Sequence, residues 1–131
     1  MKYFAKYSQL VMPDHINVIG TLFGGQMVSW MDLAAAKVAY RFLQGTDAVG
    51  AVTRAIEKVE FKEAVHKGEW VNFESMVVKT GNSSFQVHVD AYAEGREHGK
   101  RLACTALITM VAVTRDENDD LQKLVHGRSV E

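Results

Sequence analysis

The most informative stretch of the chain reads PDHINVIGTLFGGQMVSWMDLAAA and covers residues 13–36. Its first half holds the only proline of the chain, Pro13, together with Asn and Gly residues that favour turns and loops. Residues 26–42, by contrast, lack Gly and Pro and are rich in Ala, Met and Leu, which favour helices. We therefore predict a loop over residues 12–25 and a helix over residues 26–42.

The predicted helix has few polar residues, so we expect it to be buried on all sides. Asp32 does not fit this pattern. Its neighbours one turn away are all uncharged: Val28, Ser29, Ala35 and Ala36. Because an unpaired buried carboxylate costs several kcal/mol or shifts its pKa upward, Asp32 should lie at a cleft or be paired across the tertiary structure. Its partner would then be the backbone or Arg54, and the residues alone leave both interpretations open.

Gly24 and Gly25 lie just before the predicted helix. The pair can be a tight turn, or it can mark a helix N-terminus whose free N–H groups face a ligand. In the second case the N–H groups and the positive end of the helix dipole would hold a developing oxyanion. Asp32 follows about two turns later with its side chain leaning back toward the N-terminus, so we expect the glycines and Asp32 to face one site.

Strands account for most of the remaining sequence. We predict a short strand over residues 3–11 and, after the helix, four consecutive antiparallel strands over residues 48–61, 70–79, 84–94 and 102–113. The third of these alternates strictly between apolar and polar residues, as a half-buried strand does. Residues 81–83 and 95–99 are short enough for hairpin turns.

These elements predict an α+β fold in which a curled antiparallel sheet wraps around one long central helix. We expect a single domain over residues 1–131 with a C-terminal tail from about residue 115. Residues 116–120 are interpreted as a solvated turn. Residues 121–131 are expected to be disordered or to dock on a partner.

Composition excludes several classes of function. The chain has 131 residues, with 47% hydrophobic and 24% charged residues, which is typical of one globular domain. Lys plus Arg number 15 against 16 for Asp plus Glu, so nothing favours nucleic-acid binding. We expect no membrane span and no secretory signal, because the apolar stretches are too short.

The metal-binding and redox-active residue types are sparse. The single cysteine, Cys104, excludes an intrachain disulfide, is expected to be inert core, and favours a reducing, cytoplasmic setting. The five histidines are scattered and form no His-x-x-x-His pair, so we expect no metal site. A Gly-x-Ser-x-Gly elbow, a Walker loop and a dinucleotide fingerprint are likewise missing from the sequence.

The order Asn17, Gly20, Phe23-Gly24-Gly25 and Met31-Asp32 closely resembles the hotdog-fold acyl-CoA thioesterases, nearest to the YciA-type and brain-type acyl-CoA hydrolases. This resemblance covers the chain to about Thr114. It implies water-dependent cleavage of an acyl-CoA to free CoA and a carboxylic acid, with no cofactor beyond the CoA of the substrate. It also implies a homodimer, or a trimer of dimers, whose sheets join edge to edge with the active site between subunits.

The same resemblance assigns roles to individual residues. Asp32 would be the general base or the nucleophile, and the amide N–H of Gly24 or Gly25 would polarise the thioester carbonyl. Asn17 would come from the neighbouring subunit and place the water or the carbonyl. Thr53 is similar to a strand threonine that reaches the site in related enzymes.

The hairpin Gly81-Asn82-Ser83-Ser84 resembles the one that holds the CoA phosphates, although relatives often carry Arg at the place of Asn82. The acyl pocket is expected among helix and strand side chains such as Met27, Trp30 and Met31. Two alternatives stay open. One is a hotdog hydratase or dehydratase, which would pair an acid or base with a His, and the other is a non-catalytic acyl-CoA binding or sensing module.

Overall fold

The computed structural model describes residues 3–130. The elements, in chain order, are β1 (Phe4–Leu10), a 3-10 turn (Pro13–His15), α1 (Gly24–Phe42), β2 (Gly50–Phe61), β3 (Trp70–Thr80), β4 (Ser84–Glu94), β5 (Arg101–Arg115) and β6 (Leu121–Lys123). The predicted α+β class is confirmed, and so is the order of strand, loop, helix and strands.

The sheet is antiparallel, with the strand order β1-β3-β4-β5-β2 and with β6 pairing to β5. The two predicted hairpins, β3–β4 and β4–β5, are confirmed. β2 and β3 are consecutive in the chain, as predicted, but they do not pair, because β2 lies at the sheet edge beside β5. The connection over residues 62–69 carries the chain across, and the loop before α1 pairs with it, since Leu22 N–H donates to the Val65 carbonyl at 2.7 Å.

The core lies between one face of α1 and the inner face of the sheet. The helix residues on this face are buried: Met27, Trp30, Met31, Ala34, Ala35, Val38, Ala39 and Phe42. The alternating residues of β4 that were predicted to face inward are also buried: Phe85, Val87, Val89, Ala91 and Ala93. The expectation of a helix buried on all sides is wrong. Leu33 is 51% and Tyr40 69% exposed, because the sheet covers only one side of the helix.

The C-terminal tail folds back on its own chain as far as residue 130. β6 pairs with β5, and the ring of His126 packs edge-on against Phe42 with a centroid distance of 5.0 Å. A His126 ring nitrogen also lies 3.0 Å from the Ser84 carbonyl oxygen. The expected disorder of this tail is therefore wrong as far as residue 130, whereas its docking on a partner stays a prediction; Glu131 lies outside the described residues.

The predicted solvated turn over residues 116–120 is confirmed. The Asp116 carboxylate accepts the backbone N–H groups of Asn118 and Asp120 at 2.9 and 3.0 Å. These bonds hold the pKa of Asp116 below its usual range. No helix within residues 3–130 combines the length and the hydropathy that crossing a membrane requires.

Candidate active site

Asp32 lies on the side of α1 that the sheet leaves open, and it is partly exposed in the single chain. Thr53 of β2 donates a hydrogen bond from Oγ1 to Asp32 Oδ1 at 2.7 Å. Asp32 is therefore paired across the tertiary structure, as expected, but its partner is Thr53 and neither the backbone nor Arg54. Within residues 3–130 the second carboxylate oxygen of Asp32 has no hydrogen-bond partner.

Arg54 follows Thr53 directly in β2 and so projects from the opposite face of the strand, away from Asp32. Thr53 pairs with Met110 of β5 and Ala55 pairs with Thr109, which leaves Arg54 as an extra residue between them. A bulge of this kind re-aims side chains and occurs next to active sites more often than elsewhere. Arg54 instead borders a concave surface that it shares with Lys79.

Gly24 and Gly25 form the first turn of α1 and do not precede it as the sequence suggested. The carbonyl of Phe23, the N-cap residue, accepts the N–H groups of Gln26 and Met27 at 3.0 and 3.1 Å. The N–H groups of Gly24 and Gly25 have no acceptor within residues 3–130. The N-cap side chain forms no capping bond and the first turn carries no acidic residue. The positive end of the helix is therefore free to meet an external anion or carbonyl.

The glycines and Asp32 do not converge within one chain. Asp32 follows Gly25 by seven positions in a continuous helix, which places it about 10 Å further along the axis at 1.5 Å per residue. That separation is too long for both groups to reach the atoms of one carbonyl. The expectation that the two features of one helix face a single site is not met, since the helical rise separates them.

Asn17 is engaged within its own loop. Its Nδ2 donates to Thr21 Oγ1 at 2.9 Å, and its Oδ1 accepts the backbone N–H groups of Ile19 and Thr21, both at 3.1 Å. These bonds close a tight loop whose tip, Val18 and Ile19, is 103% and 80% exposed. The loop therefore presents an apolar tip outward from the chain.

The segment Gly81-Asn82-Ser83-Ser84 forms the tight turn between β3 and β4. Gly81 N–H donates to the Ser84 carbonyl at 2.9 Å, and a Cβ at Gly81 would lie 2.5 Å from Ser84 Oγ. Asn82 is exposed, while its backbone carbonyl accepts the N–H of His126 at 3.1 Å. A larger residue at Gly81 would therefore require the Ser84 hydroxyl to move.

Sequence reasoning missed two cations beside this turn. Arg54 and Lys79 line a concave surface of about 190 Å³ that also includes Gly81 and Ser84. Among residues 3–130, no carboxylate lines it. Arg54 borders this surface because β2 pairs with β5, and no local sequence pattern reports that pairing. For Lys79, the only signal was a cation two positions before the predicted turn.

Cys104 is fully buried, and burial raises the pKa of its thiol to about 11. The expectation of an inert core cysteine is confirmed.

Two of the histidines expected to be scattered lie together. His66 and His98 stack with ring centroids 4.3 Å apart, and each offers a nitrogen near the Glu69 carboxylate. Arg101 donates to both carboxylate oxygens of Glu69 at 2.8 Å and holds the pKa of Glu69 below its usual range. A metal ion at this cluster would have to compete with the guanidinium for both oxygens.

Comparison with known proteins identifies the family. A family model described as the thioesterase superfamily matches residues 19–100. A mouse protein named acyl-coenzyme A thioesterase 11 is 33% identical over 80% of this chain, although the match spans only 17% of the mouse protein. A Haemophilus influenzae protein named as an acyl-CoA thioester hydrolase is 30% identical over 87% of this chain and 80% of its own length.

A solved structure agrees with these sequence matches. It is an aspartate-to-alanine mutant of a hexameric, broad-specificity acyl-coenzyme A thioesterase, with a TM-score of 0.80 and 26% identity. The alignment covers 95% of this chain and 86% of that one. One helix packed on a curled antiparallel sheet, together with these matches, identifies the hotdog fold of the thioesterases. The chain belongs to the thioesterase superfamily, among its acyl-CoA thioester hydrolases.

Proposed function

We propose that this chain cleaves acyl-CoA thioesters to free CoA and a carboxylic acid, with Asp32 as the reacting carboxylate. The observation that carries the proposal is the hydrogen bond from Thr53 Oγ1 to Asp32 Oδ1 on the open face of α1. This bond fixes one oxygen of the carboxylate and leaves the other available for chemistry. The names of the relatives describe the same reaction.

The chemistry has two forms. As a general base, the free oxygen of Asp32 removes a proton from a water molecule whose oxygen attacks the thioester carbonyl carbon. As a nucleophile, the same oxygen attacks that carbon directly and forms an anhydride, which water then hydrolyses. In both forms the carbonyl oxygen gains negative charge, the C–S bond breaks, and CoA leaves as its thiolate. The free N–H groups of Gly24 and Gly25 are the donors that would stabilise this charge.

The site of this proposal needs two chains. Because about 10 Å of helix separates Gly25 from Asp32 in one chain, the N–H donors and the carboxylate that act on one carbonyl come from different subunits. The exposed tip of the Asn17 loop fits the same arrangement, in which Asn17 belongs to the neighbouring subunit's site. The proposed unit is a homodimer with the active site between its subunits.

The edge strand β2 offers the surface for joining two sheets. Its side chains include Ile56 and Phe61, which are 36% and 57% exposed in the single chain. Exposed edge strands carry unpaired backbone groups that pair readily with a second strand. A trimer of such dimers would give the hexamer described for the solved relative. Light scattering, which reports the mass of the assembly, should give a multiple of the 14.6 kDa chain; a monomer would contradict the two-chain site.

For the CoA phosphates we propose the hairpin Gly81–Ser84 together with Arg54 and Lys79. The two cations line one concave surface with the hairpin, and they supply the positive charge that Arg would give at the place of Asn82. We expect the double variant Arg54→Ala/Lys79→Ala to raise KM for acyl-CoA about tenfold with kcat little changed. An unchanged KM, and an unchanged dependence on salt, would contradict this assignment.

The decisive experiment measures thiol release from acyl-CoA substrates of graded chain length by the purified protein. Asp32→Asn is nearly isosteric and should keep the fold, while kcat should fall on the order of 100-fold or more. Asp47→Asn is the matched control, because Asp47 is an exposed aspartate of the loop after α1. Equal turnover by Asp32→Asn and the wild type would overturn the role of Asp32.

The same measurement separates the two alternatives. A non-catalytic acyl-CoA module would bind the substrate tightly and release no thiol. A hydratase or dehydratase would need a His beside its acid or base, and no histidine of residues 3–130 bonds to Asp32. The absence of a separate cofactor and the reducing, cytoplasmic setting stay predictions.

A further inference from the structure

A cleft of about 340 Å³ lies between the second half of α1 and the start of β2. Its volume falls within the range of ligand pockets in proteins. On the helix side it is bordered by Ala36, Ala39 and Tyr40, and on the strand side by Ala51. Among residues 3–130, no charged side chain borders it. The cleft therefore suits an apolar ligand and offers no partner for a charge.

The cleft continues the seam that holds Asp32. Ala36 follows Asp32 by one helical turn and so lies on the same face of α1. Ala51 precedes Thr53 by two residues, so both project from the same face of β2. Their partners in β5, Ala112 and Met110, are buried on the inner side of the sheet. A thioester carbonyl held at Asp32 can thus extend its acyl chain directly into the cleft.

The far end of the cleft lies where α1 ends. Leu43, Gln44, Gly45 and Thr46, where α1 ends and the chain turns, border it there. From Ala36 to Leu43 the helix rises about 10 Å. An extended chain advances about 1.2 Å per covalent bond, so the cleft accommodates about eight bonds of a straight acyl chain.

We infer that this cleft binds the acyl chain and selects straight chains of medium length, with Ala36 and Ala51 as the residues that keep it open. The inference rests on the proposed function and adds the substrate class to it. It also replaces the expected lining of Trp30 and Met31. Those two side chains are 5% and 0% exposed and face the sheet on the other side of the helix.

The test fills the cleft and compares two substrates. In Ala51→Leu, the ratio of kcat/KM for octanoyl-CoA to kcat/KM for acetyl-CoA should fall at least tenfold, since one misplaced methylene already costs about 10-fold or more in an apolar pocket. Ala36→Leu should act in the same direction from the helix side, where Ala36 is exposed in the single chain. Ala55→Leu is the matched control, because Ala55 pairs with Thr109 on the outer face of β2 and does not border the cleft.

The outcomes distinguish this inference from the proposed function. Thiol release by the wild type with an unchanged octanoyl-to-acetyl ratio in both leucine variants would overturn the inference alone. An equal loss of both substrates in both variants, at an unchanged melting temperature, would also overturn it, because the cleft would then serve catalysis and not chain length. No thiol release by the wild type with any chain length would instead contradict the proposed function.

Discussion

The two sides of α1 carry different kinds of side chain and differ in their exposure. The side that faces the sheet carries large apolar residues such as Trp30, Met31 and Phe42, all buried. The open side carries a carboxylate, Asp32, followed by the small Ala36 and the exposed Tyr40. Because one side alone packs the helix firmly on the sheet, the other is free to hold charge and open space. The packing contacts of α1 and its proposed reacting carboxylate therefore lie on different faces of one helix.

Phe42 shows how the packed side works. Its ring centroid lies 4.9 Å from that of Tyr3, 4.5 Å from Phe85 and 5.0 Å from His126. One side chain therefore joins the N-terminal segment, the central strand β4 and the C-terminal tail to the helix. The only hydrogen bond of Asp32 on the open side, within residues 3–130, comes from Thr53.

The largest effect is expected from a substitution on the side of α1 that faces the sheet. Phe42→Ala should lower the free energy of unfolding by about 3–5 kcal/mol, because it removes a fully buried ring and leaves a cavity. Denaturant unfolding followed by circular dichroism measures this change. Tyr40→Ala, an aromatic truncation two residues earlier on the open side, is the matched control and should stay within about 0.5 kcal/mol. An equally large loss in Tyr40→Ala would mean that the open side is packed in the folded protein.

Sequence patterns predict local elements, but they do not predict where one element lies relative to another. The bounds of β4 follow from strict alternation, and the helix follows from a long run without Gly or Pro; both are local patterns. The position of β2 depends on pairing with β5 across some fifty positions of sequence, and the bulge at Arg54 depends on the register of that pairing. The same limit applies to Asp32. Its residue type marked it as exceptional, but only the sheet's position shows that it lies on the uncovered side.

Asp32 and Thr53 could be predicted from the sequence as parts of the candidate site, whereas the surface formed by Arg54 and Lys79 could not. Asp32 and Thr53 were singled out separately, and the structure joins them by a hydrogen bond of 2.7 Å. The cations Arg54 and Lys79 meet only because β2, β5, β4 and β3 lie side by side. The separation between the glycines and Asp32 along the helix follows from the rise per residue. It can be calculated from the sequence alone once the helix is known to begin at Gly24.

A smaller effect is expected from a substitution beside Asp32 on the open side of α1. Thr53→Val keeps the branched shape that suits a strand and removes the hydroxyl that holds Asp32 Oδ1. A hydrogen bond to a charged group contributes about 1.5–3 kcal/mol, which corresponds to a loss of about tenfold or more in kcat if the bond orients the carboxylate for reaction. KM should change little, because Thr53 would act through Asp32 and not on the substrate. Thr53→Ser returns the hydroxyl and should restore most of kcat, which a purely structural role of the threonine methyl would not allow. Wild-type kcat in Thr53→Val would show that Asp32 keeps its reactive position without this bond, and the open side would then depend on the partner subunit for its order.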